Sequence, residues 1–271
     1  MNPPRTDDTP LLLAIDISNT GIKFGVYPLV GDQLFARWRI ATDREKTTDE
    51  YAMVLAELCR HAGLRFDAIG GVIISCVVPP LMPVFQELAT LYLNLQPVVV
   101  THQTDLGIRL LVDNPWETGP DRMISALAAH RVYGGPAIVI QFGTATSFDC
   151  VSGEGDFLGG AIAPGLGISA EALARAASRL YQVELTAPPA AIGKNTINSM
   201  QSGIVFGHVG LVEGLVGRLR QELPGGERAT VIAHGGLASV VAGVASCIDV
   251  VDPNLIMRGL RVAYTRIREA Q

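Results

Sequence analysis

The first residues able to do chemistry are Asp16, Ser18, Asn19, Thr20 and Gly21, with Lys23 two positions further on. A carboxylate closing an apolar run and followed by small residues is what a phosphate site needs. The backbone N–H groups of such a turn can point at phosphate oxygens. The hydroxyls of Ser18 and Thr20 add donors, Asp16 can hold Mg²⁺ directly or through water, and Lys23 can neutralise phosphate charge. An ordinary β-turn fits the same residues, and for this stretch alone it is the better reading. Gln141-Phe-Gly143-Thr144-Ala-Thr146 repeats the pattern: Gly143 permits close backbone approach, with two threonine hydroxyls beside it. Again a hairpin explains the stretch in isolation. Two such turns at equivalent places in two halves favour a shared role in holding a nucleoside triphosphate.

Three further segments carry polar chemistry. Asp113-Asn-Pro-Trp-Glu-Thr-Gly119-Pro-Asp121-Arg122 is turn-rich and feeds a helix. Asp121 in its first turn suits the positive end of the helix dipole. Arg122 does not, and anion binding is one reason for a guanidinium there. An acid beside an arginine suits a site that grips a carboxylate and takes a hydroxyl proton. His234-Gly235-Gly236 ends an apolar run, where paired glycines let a flat base or ribose approach the backbone; a helix entry with turn glycines is about as good a reading. Gly193-Lys-Asn-Thr196 precedes a helical stretch, so Thr196 either caps that helix or touches a ligand. Within it Gly203, Gly207, Gly210, Gly214 and Gly217 recur at steps of three and four. Each glycine costs a helix about 1 kcal/mol relative to alanine, so the stripe points to close packing against another backbone or a partner subunit.

The elements that position these residues follow from periodicity. Residues 11–16, 22–29 and 33–42 read as strands, 48–61 as a helix capped by Thr48 or Asp49, 70–80 as a buried strand stopped by prolines, 81–92 as a helix and 97–101 as a short strand. The grammar then restarts. Residues 120–133 are a helix with proline in its first turn, 136–151 a strand, turn and strand, 154–164 a third strand, 169–181 and 194–223 helices, 229–236 a strand and 255–269 a closing helix. The stretch AIDISNTGIKFGV echoes VIQFGTATSFDCV. Two copies of one α/β fold facing a shared cleft are expected, with an N-terminal extension over 1–10, a first domain over 11–118 and a second over 119–271.

Bulk properties narrow the class. The chain has 271 residues, net charge −5 and four scattered cysteines without a CxxC pair. That charge offers no electrostatic footprint for nucleic acid or an anionic membrane, and no apolar run is long enough to span a bilayer. Residues 1–10 carry acids and prolines where a signal peptide needs a basic and then an apolar segment. Cys76 and Cys150 lie in apolar runs and read as buried free thiols, which fits a reducing, cytoplasmic compartment.

Taken in order, DISNT, NPWETGPDR, QFGTAT, GGAIAPG, IGKNT, HGG and LIMRGL resemble the motif series of the type III pantothenate kinases, part of the superfamily of actin, hexokinase and the heat-shock ATPases. Each motif is weak and the ordered set is specific. The resemblance implies two ribonuclease-H-like (actin-like) domains with mixed sheets flanked by helices, and ATP-dependent phosphorylation of pantothenate, the first step toward coenzyme A. It also implies Mg²⁺, a monovalent cation (K⁺ or NH₄⁺), and a homodimer with substrate near the interface. By motif, Asp16, Ser18, Asn19, Thr20 and Lys23 form the first phosphate loop, and Gly143 and Thr144 the second. Gly235 and Gly236 lie by the adenosine, and Asp121 is the general base. Arg122 and the Gly119 region hold the substrate carboxylate, and Thr196, from the partner, touches pantothenate. The sequence departs from the family pattern at four positions. Ser18 stands at a glycine position, Gln141 at the aspartate that binds the monovalent ion, His234 at a threonine, and Val112 at a tyrosine that contacts pantothenate. A nucleotide-binding paralogue with a regulatory role, or a kinase of another small anionic hydroxy compound, are the alternative readings.

Overall fold

The computed structural model describes residues 10–270. The expectation for 1–9 lies outside these residues; Pro10 itself is held, its carbonyl accepting from Leu29 N at 2.7 Å. The chain divides into two compact units. One runs up to Gly107 and adds Asn114–Ala128 and the chain from Ile256 on; the other comprises Ile108–Asp113 and Ala129–Leu255. A single cut near Gly119 therefore does not describe the grouping. The segment bearing Gly119, Asp121 and Arg122 falls in the first unit, as does the closing helix.

The first unit is built on a five-stranded sheet of order β3-β2-β1-β4-β5. Its strands are β1 (Leu11–Ile17), β2 (Ile22–Pro28), β3 (Ala36–Ile40), β4 (Ile69–Cys76) and β5 (Val98–Val99). β1–β2 and β2–β3 are antiparallel; β1–β4 and β4–β5 are parallel. Alternation along β1 sends Leu11, Leu13, Ile15 and Ile17 to one face, where they join Phe24, Val72 and Ile74 in a core with Tyr51 and Leu55 of α1 (Thr48–His61) and Phe85 and Leu88 of α2 (Leu81–Leu93). Burying each large apolar side chain contributes about 1.5–3 kcal/mol. The α1 cap is Thr47, one residue before the expected position, in a reciprocal capping box with Glu50. The other face carries Leu12, Ala14 and Asp16. On that side α8 (Leu255–Glu269) packs through Met257 beside Gly25 and Tyr264 beside Gly71. Gly259 of α8 lies against the Ile124 backbone of α3 (Pro120–Tyr133), so close that a Cβ would meet the carbonyl. This backbone contact fastens the first half of α3 to the first unit.

The second unit repeats the plan. Its sheet runs β10-β9-β6-β7-β8, from β6 (Ala137–Phe142), β7 (Ala145–Val151), β8 (Phe157–Pro164), β9 (Thr230–Gly235) and β10 (Val250–Val251). The senses match those of the first sheet: β6–β7 and β7–β8 antiparallel, β6–β9 and β9–β10 parallel. Ile138, Ile140, Phe142, Phe148, Val231 and Ala233 pack on Val205, Val209, Val212 and Val216 of the long helical stretch. That stretch is α5 (Thr196–Gln201), a wide π turn (Ser202–Phe206) and α6 (Gly207–Glu222). The helix after β8 is α4 (Leu166–Ala176); it begins earlier than expected, with Gly165 at its start and Ser169 Oγ donating back to Gly165 O at 2.9 Å, and it ends earlier, at Ala176. A short α7 (Ala238–Ala242) follows β9.

Of the two expectations for the glycine stripe, another backbone or a partner subunit, packing on another backbone of this chain is not met among the described residues. A Cβ at Gly203, Gly207, Gly210 or Gly217 would meet nothing within 4 Å, and one at Gly214 only an Arg218 nitrogen at 3.7 Å. No backbone among the described residues packs on the stripe. Cys59 and Cys150 are buried free thiols, whereas Cys76, at the end of β4, is only half-buried.

Candidate functional site

In the first unit the chemistry gathers at the carboxyl ends of the parallel strands, where ligands of open α/β sheets bind. Asp16 is fully buried and Lys23 Nζ lies 3.1 Å from its Oδ2. The two are register partners across β1 and β2, and Ser75 is the partner of Asp16 on β4. Ser18 Oγ reaches Asp16 Oδ2 at 3.2 Å and Ser75 Oγ reaches Oδ1 at 3.4 Å. A charge can stay buried because it is paired and hydrogen-bonded. The turn beyond is closed by Ser18 N donating to Gly21 O at 3.1 Å, leaving Asn19 and Thr20 exposed. Two arginines missed in the sequence brace it. Arg39 donates to Thr20 O at 3.3 Å and lies over Gly21, and Arg44 donates to Asn19 Oδ1 at 3.1 Å. Arg39 is the register partner of Lys23 on β3, the signal that could have found it.

Gly119 and Asp121 reach the same end of this sheet. Val77, just past β4, donates to Ile17 O at 3.0 Å, and a Cβ on Gly119 would sit 3.8 Å from Val77. That Cβ would also come within 2.6 Å of Asp121 Oδ1, so glycine leaves the carboxylate its room. Asp121 Oδ1 accepts from Arg122 N at 3.0 Å, and both side chains are half-buried.

In the second unit, Gln141 takes the place that Asp16 has in the first sheet. Its register partners are Ser147 on β7 and His234 on β9, and His234 is buried. The turn Gly143–Ala145 exposes Thr144. A Cβ on Gly143 would meet nothing closer than 3.6 Å, so the surface over it stays open to a ligand. Underneath, Gly165 N donates to Thr144 O at 3.1 Å, and a side chain at Gly165 would strike the turn's backbone. Gly235 has φ +106° and lies against the Phe142 backbone, whereas Gly236 is exposed with nothing within 4 Å. Gly235 thus serves packing and Gly236 presents free surface. Val112 is half-buried, 3.5 Å from where a Cβ of Gly159 would be. Its segment runs along β8, with Leu111 N donating to Phe157 O at 2.9 Å and Arg109 paired with Asp156. That bond with Arg109 holds the Asp156 carboxyl below the usual carboxylate range.

Thr196 does not cap its helix. Asn195 does, its side chain accepting from Asn198 N at 2.8 Å, which leaves Thr196 exposed. It stands with Lys194 and Asn195 on a pocket of about 950 Å³ whose apolar wall includes Leu173, Leu180, Ile204 and Leu211, with His208 also lining it. His208, unremarked in the sequence, is buried and shares a 3.0 Å hydrogen bond with Thr146. Burial pushes its imidazole below its ordinary value. Among the described residues no group of three or more His, Cys, Asp or Glu could hold a metal, and no helix is long and apolar enough to cross a membrane.

Residues 12–218 match the family model described as type III pantothenate kinase. The chain is 50% identical to the type III pantothenate kinase of Roseiflexus sp. (strain RS-1), covering 94% of this chain and 98% of that one. It is 46% identical to that of Moorella thermoacetica over 94% and 99%, and 46% identical to that of Geobacter sulfurreducens over 96% and 100%. Among solved structures, a Baf family transcriptional activator from Campylobacter jejuni superposes with TM-score 0.59 at 16% identity, covering 95% of this chain and 99% of that one. MreB 5 of Spiroplasma citri bound to AMPPNP superposes with TM-score 0.57 at 10% identity, covering 97% and 98%. These structural likenesses speak for an actin-like fold.

Proposed function

The chain belongs to the type III pantothenate kinase family, and from that premise we propose that it transfers the γ-phosphoryl group of ATP to the primary hydroxyl of pantothenate, giving 4′-phosphopantothenate for coenzyme A synthesis. The observation that carries the reading lies within the first unit. The fully buried Asp16, paired with Lys23 at 3.1 Å, and Asp121, opened to its surroundings by Gly119, stand at one end of one sheet. In this reading Asp121 accepts the hydroxyl proton as that oxygen bonds to the γ-phosphorus, and the bond to the β–γ bridging oxygen breaks to release ADP. Arg122 holds the pantothenate carboxylate. Lys23 and the donors of the Ser18–Thr20 turn, with Gly143 and Thr144, hold phosphate oxygens; Gly236 offers open backbone to the adenosine. Phosphoryl transfer is chiefly positioning and charge neutralisation, and these groups supply both.

Asp16 fits a hard divalent ion. It is a carboxylate with two hydroxyls beside it, and Mg²⁺ is held by one or two carboxylates plus substrate phosphates rather than by a protein cage. When bound, Mg²⁺ neutralises phosphate charge. A monovalent cation fits less well. Gln141 offers an amide oxygen without charge, and its register partners are Ser147 and the imidazole of His234, so the proposed transfer does not depend on that ion. We take the active form to be a homodimer in the cytoplasm, with Thr196 completing the partner's pantothenate site. The open glycine stripe supports the dimer, and the free cysteines suit a reducing compartment.

The test is ADP release with ATP, Mg²⁺ and pantothenate, beside an Asp121→Asn variant. Turnover that falls about 10²–10⁴-fold in the variant, with ATP still bound, is the expected result. ATP binding without turnover in the native chain would replace this reading with a nucleotide-binding paralogue.

A further inference from the structure

We propose that His208 is a positioning residue that holds the Gly143–Thr144–Ala145 turn in shape from beneath. The inference rests on the reading of that turn as a phosphate cradle. Phe142 and Thr146 are the last register pair of the β6–β7 ladder and bracket the turn on its two sides. His208 touches both. Its Nε2 lies 3.0 Å from Thr146 Oγ1, and its ring centroid is 6.0 Å from that of Phe142.

Three features argue that the histidine is placed rather than tolerated. The sheet-facing positions of this helical stretch are otherwise Val205, Val209, Val212 and Val216, and an imidazole buried among valines is costly unless a partner satisfies it. The partner is a threonine that is itself fully buried. The π turn over Ser202–Phe206 ends two residues before His208. One extra residue in a helical turn rotates everything after it by about 100°, so this irregularity sets which side chain of α6 meets the turn. Finally, the turn has few restraints of its own: Gly143 N to Ala145 O at 3.0 Å and Gly165 N to Thr144 O at 3.1 Å, with Thr144 exposed. Loss of the histidine bond frees the β7 side of the turn and loosens the aim of Thr144.

The experiment measures KM for ATP and kcat in the full-length protein for His208→Leu, His208→Gln, His208→Asn, Thr146→Val and the His208→Leu/Thr146→Val double variant. Melting temperatures are recorded for each, and Thr144→Val serves as a control on the turn. His208→Leu and Thr146→Val are each expected to raise KM for ATP about tenfold, the scale of losing one buried hydrogen bond, with kcat changed much less. The double variant should be no worse than either single one. Glutamine places its amide where Nε2 stands and should restore KM; asparagine, too short, should not. That asymmetry is a readout that space-filling alone would not give, and it remains if the leucine variant fails to fold. The proposal is overturned if His208→Leu folds with KM for ATP within twofold of wild type, if the two single effects multiply in the double variant, or if asparagine restores as well as glutamine. Should Thr144→Val leave KM for ATP unchanged, the phosphate reading of the turn falls and the inference with it. Should Thr144→Val raise KM while His208→Leu does not, only the inference falls.

Discussion

Across β2, β1 and β4 of the first sheet, one row of register partners reads Lys23, Asp16, Ser75. Across β7, β6 and β9 of the second, the corresponding row reads Ser147, Gln141, His234. Strand order, strand senses and the place of the row at the end of the central strand are the same in both. The chemistry is not. The first row holds a formal ion pair on a buried carboxylate; the second has no carboxylate and no lysine. Their supports differ too. The first turn is braced from its exposed side by Arg39 and Arg44, the second from its buried side by His208 and Gly165. A repeated backbone therefore fixes where a turn can present N–H groups to an anion, while the side chains decide how much charge stands behind it. On this view the first turn supplies electrostatics and the second supplies shape.

The comparison breaks most readily at Asp16. Asp16→Asn keeps the shape, removes the charge and leaves Lys23 without its counter-ion. Its kcat is expected to fall about 10²–10³-fold, the usual scale for losing one preorganised electrostatic group. Gln141→Ala in the equivalent place should lower kcat less than tenfold. Steady-state kinetics on both variants decide the matter, and equal losses would show that the two rows are not divided as described.

The glycines after the second row sharpen the same distinction through stability. Gly235, at φ +106° against the Phe142 backbone, has no room for a Cβ, so Gly235→Ala is expected to cost about 2 kcal/mol or more, lowering the melting temperature by about 4–8 °C. Gly236, with nothing within 4 Å, should accept alanine within about 0.5 kcal/mol. Thermal melts of the two variants check this. A matched pair of melting temperatures would mean that the turn's backbone yields more easily than its close contacts imply.

Much of this architecture is legible in the sequence, because strand alternation, proline stops and glycine turns are local signals. The echo between residues 14–26 and 139–151 becomes two sheets of identical order, and α3 runs over Pro120–Tyr133, the expected span. What escaped depends on distant partners. The path of Arg109 and Leu110 beside the start of β8 rests on Asp156, 47 residues from Arg109, and on a single bridge to Phe157, and such pairing has no local signature. The grouping of the first half of α3 with the first unit rests on Gly259 against Ile124, and Gly259 looks like one more small residue in a helix. Arg39 and His208 lack a local signal for the same reason: one of two arginines in a strand and a lone histidine in a helix take their meaning from Thr20 and Thr146. The glycine stripe shows the reverse case. It signalled contact, and no described backbone supplies it.

The smallest expected effect probes the neutrality of the second row. A potassium or ammonium ion needs carbonyl or carboxylate oxygens and gains most from a negative charge. Gln141 gives one amide oxygen, and His234 beside it in register is a ring that carries at least one N–H donor. Turnover of the native chain is therefore expected to change less than twofold when potassium chloride replaces choline chloride at constant ionic strength. Gln141→Asp puts a carboxylate into the row without a lysine such as Lys23 to meet it. A buried charge lacking a partner is unfavourable, so this variant should melt lower in choline chloride and recover in potassium chloride as the ion takes up the role of counter-charge. Strong activation of the native protein by potassium would place an ion in the second row despite its side chains, and the contrast between a charged and a neutral row would then lie in bound ions rather than in sequence.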